Sequence, residues 1–166
     1  GSMTCNVGGK TSVTALDVAN ALAIYFAERA SGEFKDKYIT FSERPQFVDF
    51  GNAKSLHDKL GIALCHNECA NTNIEAVFDL ILQTAVNNHM AQEDIPTNIL
   101  IVSDMEFDSC ATTNSTRLDG WYSSRQAPTA TLFDTIAKKY AVYGYKLPRL
   151  VFWNVNSRTY TIPMTE

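Results

Sequence analysis

The sequence predicts an α/β fold, with a mostly parallel central sheet and helices on both of its faces. Strand patterns alternate with helix patterns along the 166 residues, as in chains whose parallel strands are joined by helices. Two continuous apolar runs, Ile99-Leu100-Ile101-Val102 and Leu150–Val155, are typical of strands buried on both faces. The segment Thr14–Arg29 is apolar nearly all round, which predicts a largely buried helix.

Turn and cap residues divide the rest of the chain into further elements. The predicted strands are Thr4–Val7, Tyr38–Ser42, Gln46–Phe50, Asn98–Ser103 and Leu150–Val155, with Tyr160–Ile162 pairing beside the last. The strands on either side of Pro45 are expected to form a hairpin. The predicted helices after the first are Ala53–Leu64, Thr72–Asn88 and Thr131–Tyr143. The polar stretch Cys110–Pro128 is expected to be a loop.

The length predicts a single domain. Gly1-Ser2, together with Met3, has the form of an expression-tag remnant, so residues 1–3 are set aside. Residues 4–166 are expected to form one domain that could be trimmed at both ends. Its first strand begins next to the tag, and the chain stops soon after its last strand.

Bulk composition excludes several classes of partner. The net charge of −4, without a run of like charges, disfavours nucleic acid. Neither a signal peptide nor an apolar run of the roughly 18 residues that cross a bilayer is present, so a cytoplasmic protein without membrane contact is expected. The cysteines Cys5, Cys65, Cys69 and Cys110 are interpreted as reduced thiols. A single Cys-x3-Cys pair around His66 is weak evidence for zinc, which usually takes four ligands.

In a parallel α/β sheet, functional residues gather beyond the carboxyl ends of the strands. That rule selects Asn6–Thr11, Asn71–Asn73 and Asp104–Asp108. The first of these contains Gly9-Lys10-Thr11 between a strand and a helix, which invites comparison with a phosphate-binding loop. Such a loop requires a glycine at position 4, and the residue there is Thr4. A phosphate-directed hydrolase is therefore disfavoured.

Three groups of segments carry a family resemblance. They are Cys5–Thr11 with Leu16–Ala19, Asn71–Asn73 with Val77–Leu82, and Ser103–Asp108 with Leu150–Val155. These segments resemble the von Willebrand factor A domain at the C-terminal end of DUF2828 proteins, and more distantly the A domain of the Ro (TROVE) RNA-binding proteins. The resemblance implies a three-layer Rossmann-like fold that carries a metal-ion-dependent adhesion site.

The resemblance also implies that this metal site is degenerate. The family's pattern of ligands falls on Asn6, Gly8, Lys10, Thr72 and Asp104, and only the last two keep the family's residue type. An ammonium group would repel a divalent cation, and magnesium requires six oxygen ligands. A site without metal is therefore expected. If an ion were retained, weakly bound Mg²⁺ or Mn²⁺ would rest on Thr72 and Asp104.

Two interpretations of these residues stay open. In one, the Lys10 ammonium borders the vacant position and pairs with Asp104, because a buried carboxylate needs a counter-charge. In the other, Lys10 points to solvent while backbone N–H groups hold Asp104. Thr72 is interpreted preferentially as a helix N-cap, since Glu75 follows three residues later.

Further candidates lie in the polar loops. Glu106 and Asp108 follow a strand and could do acid–base work, although solvated or capping charges are the more common case. Trp121 and Tyr122 are candidates for exposed contact residues, whereas Trp153 is expected in the core.

The function predicted is a non-catalytic protein-interaction module with an impaired metal site and no cofactor. Its partner would be another protein, and a homodimer is plausible because sheet edges invite pairing. One alternative is a domain that binds ligands weakly through Mg²⁺ or Mn²⁺. The other is a component of an RNA–protein particle, which rests on fold analogy alone.

Overall fold

The computed structural model describes residues 2–7, 12–40, 42–66, 73–103 and 129–155. The helices and strands in these ranges are α1 (Ala15–Arg29), β1 (Lys37–Ile39), β2 (Phe47–Asp49), α2 (Leu56–Cys65), α3 (Ile74–Asn87), β3 (Asn98–Ser103), α4 (Thr129–Val142) and β4 (Arg149–Asn154). Single 3-10 turns are formed by Ser2–Thr4, Gly32–Phe34 and Gln92–Asp94. The mixture of helices and strands agrees with the predicted α/β class at this coarse level.

The strands pair in two small sheets of two strands each. β1 and β2 form the predicted hairpin, with Tyr38 opposite Val48, and β3 and β4 run parallel, with Ile99 opposite Leu150. The large, mostly parallel central sheet is not seen among the described residues. One physical reason is local, because β1 takes β2, the next strand along the chain, as an antiparallel partner.

The prediction of a strand at Thr4–Val7 is wrong. Ser2–Thr4 form a 3-10 turn, and Asn6 makes only an isolated antiparallel bridge with Thr14. The Val7 amide donates to the Val13 carbonyl at 2.8 Å. The backbone of this segment is therefore paired with the residues that lead into α1.

Helices cover both faces of the parallel pair. Ile99 of β3 and Leu150 of β4 lie side by side and pack against the core between α3 and α4. Trp153 is an odd number of residues from Leu150, so its side chain projects from the opposite face. There its ring lies 6.4 Å from that of Phe26 on α1. The parallel pair thus has α1 on one side and α3 with α4 on the other.

The largest core cluster lies between α3, α4 and the parallel pair. Its buried members are Phe78, Leu82, Leu132, Ile136 and Tyr140. The Tyr140 hydroxyl donates to the Phe78 carbonyl at 2.8 Å, and the two rings meet edge to face at 6.2 Å. Burial, with a smaller contribution from the Asp79 carboxylate, raises the pKa of Tyr140. The hydroxyl therefore stays protonated and keeps donating at any physiological pH.

An ion-pair cluster at the edge of this core holds α4 against α3. The Lys139 ammonium lies 2.8 Å from Glu75 Oε1 and 2.9 Å from each oxygen of Asp79. Partial burial lowers the pKa of Lys139, but the hydrogen bonds to Glu75 and Asp79 outweigh that effect and raise it. The cluster is partly exposed, so we expect it to align the helices more than to stabilise them.

α1 is less buried than its composition predicted. Of its residues, Ala15, Asn20, Ile24 and Ala27 are buried. Ile24 and Ala27 pack with the β1–β2 hairpin and with Ala63 of α2. Tyr25 and Phe26 remain 48% and 40% exposed. An apolar helix is buried all round only where neighbours surround it, and here they cover one part of its surface.

Side-chain caps fix where three of the helices begin. Thr14 and Ser55 form capping boxes with Asp17 and Asp58, as reciprocal side-chain and backbone hydrogen bonds show. The N-cap of α3 is Asn73, whose side chain accepts from the Ala76 amide at 3.0 Å. The predicted cap at Thr72 is therefore wrong by one residue. Its expected partner Glu75 binds Lys139 instead.

Truncation of Ile136 to alanine tests the core between α3 and α4. Ile136 is fully buried, so the substitution removes apolar contacts and leaves a cavity. We expect the free energy of unfolding to fall by about 3 kcal/mol. Urea denaturation should show this loss, while Asp134→Ala, on the exposed side of the same helix, should change it by less than about 0.5 kcal/mol. Equal losses in the two variants would contradict this core assignment.

The cap of α1 has a measurable pH signature. We expect Thr14→Ala to lower the free energy of unfolding by about 1 kcal/mol. Hydrogen bonds from the backbone and then the side chain of Thr14 lower the pKa of Asp17. The stabilisation is present above the unfolded pKa and is lost as pH falls through the folded one.

Asp17→Asn should therefore destabilise the protein most at neutral pH, and the difference from the wild type should shrink in acid. Urea midpoints measured across the acidic range check this, with Glu33→Gln, at an exposed carboxyl away from the α1 cap, as the control. A difference that does not depend on pH would exclude the cap as its cause.

Candidate interaction surface

The strand-end segments selected from the sequence are only partly described. Asn6 lies in the bridge to Thr14, on the approach to α1. The Ser42 carbonyl accepts from the Asn73 amide at 3.3 Å, which ties the end of the hairpin region to the start of α3. Ser103 ends β3 and is buried. The structure thus places Asn73, from one of the selected segments, next to Ser42, where the predicted strand Tyr38–Ser42 ends.

Of the predicted site residues, Asn6 alone falls within the described ranges. The others lie outside the described residues, and they are Gly8, Lys10, Thr72, Asp104, Glu106, Asp108, Trp121 and Tyr122. Their proximity to one another stays a prediction. The pairing of Lys10 with Asp104 and the contact role of Trp121 and Tyr122 are likewise untested.

Metal chemistry finds no support in the part of the chain that the structure describes. No group of three or more His, Cys, Asp or Glu side chains there could hold an ion. Cys5 and Cys65 are both exposed. Cys69 and Cys110 lie outside the described residues, as does any site that would use them.

The feature of the described surface that stands out is a row of exposed aromatic side chains. Tyr25 and Phe26 of α1 and Trp153 of β4 are 48%, 40% and 46% exposed. Together with Arg29 they are called the aromatic surface below. Large aromatic side chains are usually more buried than this, so a contiguous exposed set indicates a contact site.

Ring contacts hold the aromatic surface in one arrangement. Tyr25 and Phe26 meet edge to face at 5.3 Å, and Phe26 meets Trp153 at 6.4 Å with an interplanar angle of 63°. Such geometries favour the pairs by about 0.5–1.5 kcal/mol beyond the burial of their area. These contacts therefore restrict the rotamers of the three rings, and such restriction before binding reduces the entropy that binding costs.

Arg29 adds a cation to the aromatic surface. Its guanidinium carbon lies 3.6 Å from the centre of the Tyr25 ring, and one of its nitrogens donates to the Tyr25 carbonyl at 3.1 Å. The four-residue spacing on α1 places the two side chains next to each other. The residue before Arg29, Glu28, pairs with Lys59 of α2 at 2.7 Å, which anchors this end of α1.

Sequence reasoning missed this surface. Trp153 was expected in the core, and the structure leaves it 46% exposed, so that prediction is wrong. It occupies a strand whose apolar pattern is uniform, and such a pattern cannot tell which positions a helix covers. The available signal was the Tyr25–Arg29 spacing, which is typical of a stacked pair on an exposed helix face.

Comparison with known proteins identifies the family. The model of DUF7788, a domain of unknown function, matches residues 1–166. The chain is also 27% identical over 162 residues to the uncharacterized protein L728 of Acanthamoeba polyphaga mimivirus. That match covers 97% of this chain and 26% of the viral protein, so the chain spans about a quarter of its relative's length. No solved structure matches the chain.

The resemblance to the von Willebrand factor A domains of the DUF2828 and Ro proteins is therefore wrong, because neither family is indicated by these matches. It rested on short strand and loop segments, and buried strands of many α/β proteins share such apolar runs. The reading of Asn6, Gly8, Lys10, Thr72 and Asp104 as a degenerate metal site came from that family's pattern, so it loses its support.

A last structural finding concerns membranes. Among the described helices, none is long and apolar enough to cross a bilayer.

The family match extends over the whole sequence. The chain therefore belongs to the DUF7788 family, a domain of unknown function.

Proposed function

We propose that the chain is a non-catalytic protein-interaction module that binds its partner through the aromatic surface. The observation that carries this proposal is the contact between three half-exposed rings, Tyr25, Phe26 and Trp153, on two different elements. Tryptophan, tyrosine and arginine are the residues that contribute most often to binding energy at protein interfaces. Three of the four members of the aromatic surface are of these types.

The area left exposed on these rings is large enough to contribute to the free energy of binding. Burying the remaining half of an aromatic side chain contributes roughly 2 kcal/mol, so the three rings together could supply roughly 6 kcal/mol before the costs of association. Because these costs are also several kcal/mol, further contacts around the rings are needed for tight binding. The aromatic surface would then be the centre of a larger interface.

The charge of the chain favours a protein over a nucleic acid as the partner. The net charge of −4 repels a phosphate backbone at long range. Arg29 is the cation of the aromatic surface, and its guanidinium is stacked on Tyr25. Stacking of single-stranded bases on the rings would also need a basic groove to track the backbone. The neighbouring Glu28–Lys59 pair adds no net positive charge.

We also infer that β3 and β4 belong to a mostly parallel sheet with helices on both faces. Their parallel register and their helix cover on each side support this arrangement. Both strands are rich in apolar residues, as is usual for strands inside such sheets. On this arrangement, the aromatic surface lies where α1 meets the end of β4.

Photo-crosslinking tests the proposed function. A photoreactive phenylalanine analogue would replace Tyr25 in one preparation and, as the control, the exposed Asp134 of α4 in the other. Each would be exposed to an extract of the native host. We expect a defined protein adduct at position 25 that excess wild-type chain abolishes. Excess of the Tyr25→Ser, Trp153→Ser double variant should leave the adduct in place.

Once the captured protein is identified, Tyr25→Ser alone and Trp153→Ser alone should each weaken its binding to the chain at least about tenfold, or about 1.4 kcal/mol. Circular dichroism and thermal melting confirm that the variants stay folded. Competition by the double variant as strong as that of the wild type would refute the proposal. So would an adduct that ribonuclease removes, which would favour an RNA–protein particle instead. An adduct between two copies of the chain would identify the partner as a second copy.

A further inference from the structure

A second surface, separate from the aromatic one, lies between α3 and α4. It is a groove of about 440 Å³, and its walls come from both helices. Its α3 wall is formed by residues at helical spacing, namely Asp79, Leu82, Gln83, Val86 and Asn87. Its other wall is formed by Lys139 and Val142 of α4 and by Tyr143, which follows α4. The positions 79 to 87 span about 12 Å along α3, or just over two turns.

The groove combines a buried apolar base with exposed apolar side chains at its edge. Leu82 is buried at its base and Val86 is half-buried beside it, whereas Val142 and Tyr143 are 80% and 57% exposed. Val142 is an apolar residue held almost fully in water at the edge of a concave surface. A volume of this size lies within the range of cavities that accept ligands or side chains of a partner.

One end of the groove carries a net negative charge. The Lys139 ammonium binds Glu75 and both oxygens of Asp79, so two carboxylates face one ammonium and the net charge is −1. Lys139 stays charged at neutral pH, because its hydrogen bonds to Glu75 and Asp79 hold it in the ionised form. The carboxylate that is left uncompensated favours a cation at this end of the groove.

We propose that the α3–α4 groove binds a basic amphipathic helix of a partner protein. The apolar face of that helix would cover Val86, Val142 and Tyr143, and a lysine or arginine at one end would lie against Asp79 and Glu75. Two helices that line a groove commonly accept a third in this way, with anchors spaced three and four residues apart. The negative charge at the groove's end requires a positive charge on the bound helix, and it determines which end of that helix lies there.

Two designed peptides test this proposal. They are helical, about 15 residues long, and share one apolar face of leucines, but one carries lysines and the other glutamates on the remaining positions. Fluorescence anisotropy with the whole chain measures both affinities. We expect the basic peptide to bind at least about tenfold more tightly, and we expect added salt to reduce this ratio.

Variants locate the binding site. Val142→Ser and Tyr143→Ser remove exposed apolar groups without opening the core, and each should weaken the basic peptide by at least about fivefold. Asp79→Asn should lower the ratio between the two peptides, with its folding checked by thermal melting because Asp79 also holds Lys139. Asp134→Ala, exposed on α4 and outside the groove lining, is the control that should leave both affinities unchanged.

Three outcomes would overturn the proposal: equal affinity for the two peptides, no binding at millimolar concentration, or binding that Tyr25→Ser weakens while Val142→Ser does not. The last outcome would move the peptide to the aromatic surface and leave the proposed function standing. Failure of the crosslink at position 25 would not contradict the proposal for the α3–α4 groove. The two proposals therefore fail independently.

Discussion

The burial of Ile136 and Tyr140 against Phe78 and Leu82 is the interaction on which the larger part of the structure depends. It joins α4 to α3 and presses both against one face of the parallel β3–β4 pair. The Tyr140 hydroxyl is buried with them and would be costly without a partner, so its bond to the Phe78 carbonyl fixes the register of the two helices. The positions of the groove and of the ion pairs follow from that register.

The same packing also determines which surfaces remain available. Because α3 and α4 cover the face of the sheet that carries Leu150, the opposite face of β4 presents Trp153 to α1. α1 itself buries Ile24 and Ala27 against the hairpin and α2, which leaves the Tyr25 side of the helix in water. The two proposed binding surfaces therefore lie on different elements, the aromatic surface on α1 and β4 and the groove between α3 and α4.

Charge has a positioning role more than a stabilising one. The ion pairs Lys59–Glu28 and Lys139–Asp79 connect helices across the surface, where solvent screening keeps their net contribution small. Their geometry nevertheless selects one arrangement of the helices over others, since each ammonium reaches carboxylates on a neighbouring helix. Lys139 shows this most clearly, because two carboxylates on successive turns of α3 hold it in place.

The sequence by itself determined the local elements. Apolar periodicity predicted α1, α3 and α4, the run at residues 98–103 predicted β3, and turn chemistry predicted the hairpin, because these signals depend on neighbouring residues along the chain. Gly144 ends α4 as predicted, with a φ of 78° that suits glycine. Even the error at the α3 cap was one residue, since Asn73 and Thr72 both have side chains that can accept from the first turn.

Tertiary structure alone decided which apolar residues are covered. Val142 and Trp153 are of residue types that are common in protein cores, yet both are exposed. Burial depends on neighbours that lie far away in the chain. The same limit applied to the segment around Asn6, where strand propensity gave way to pairing with the approach to α1. Propensity depends on one residue and its near neighbours in the sequence, whereas the exposure of a side chain depends on which elements pack against it in the folded chain.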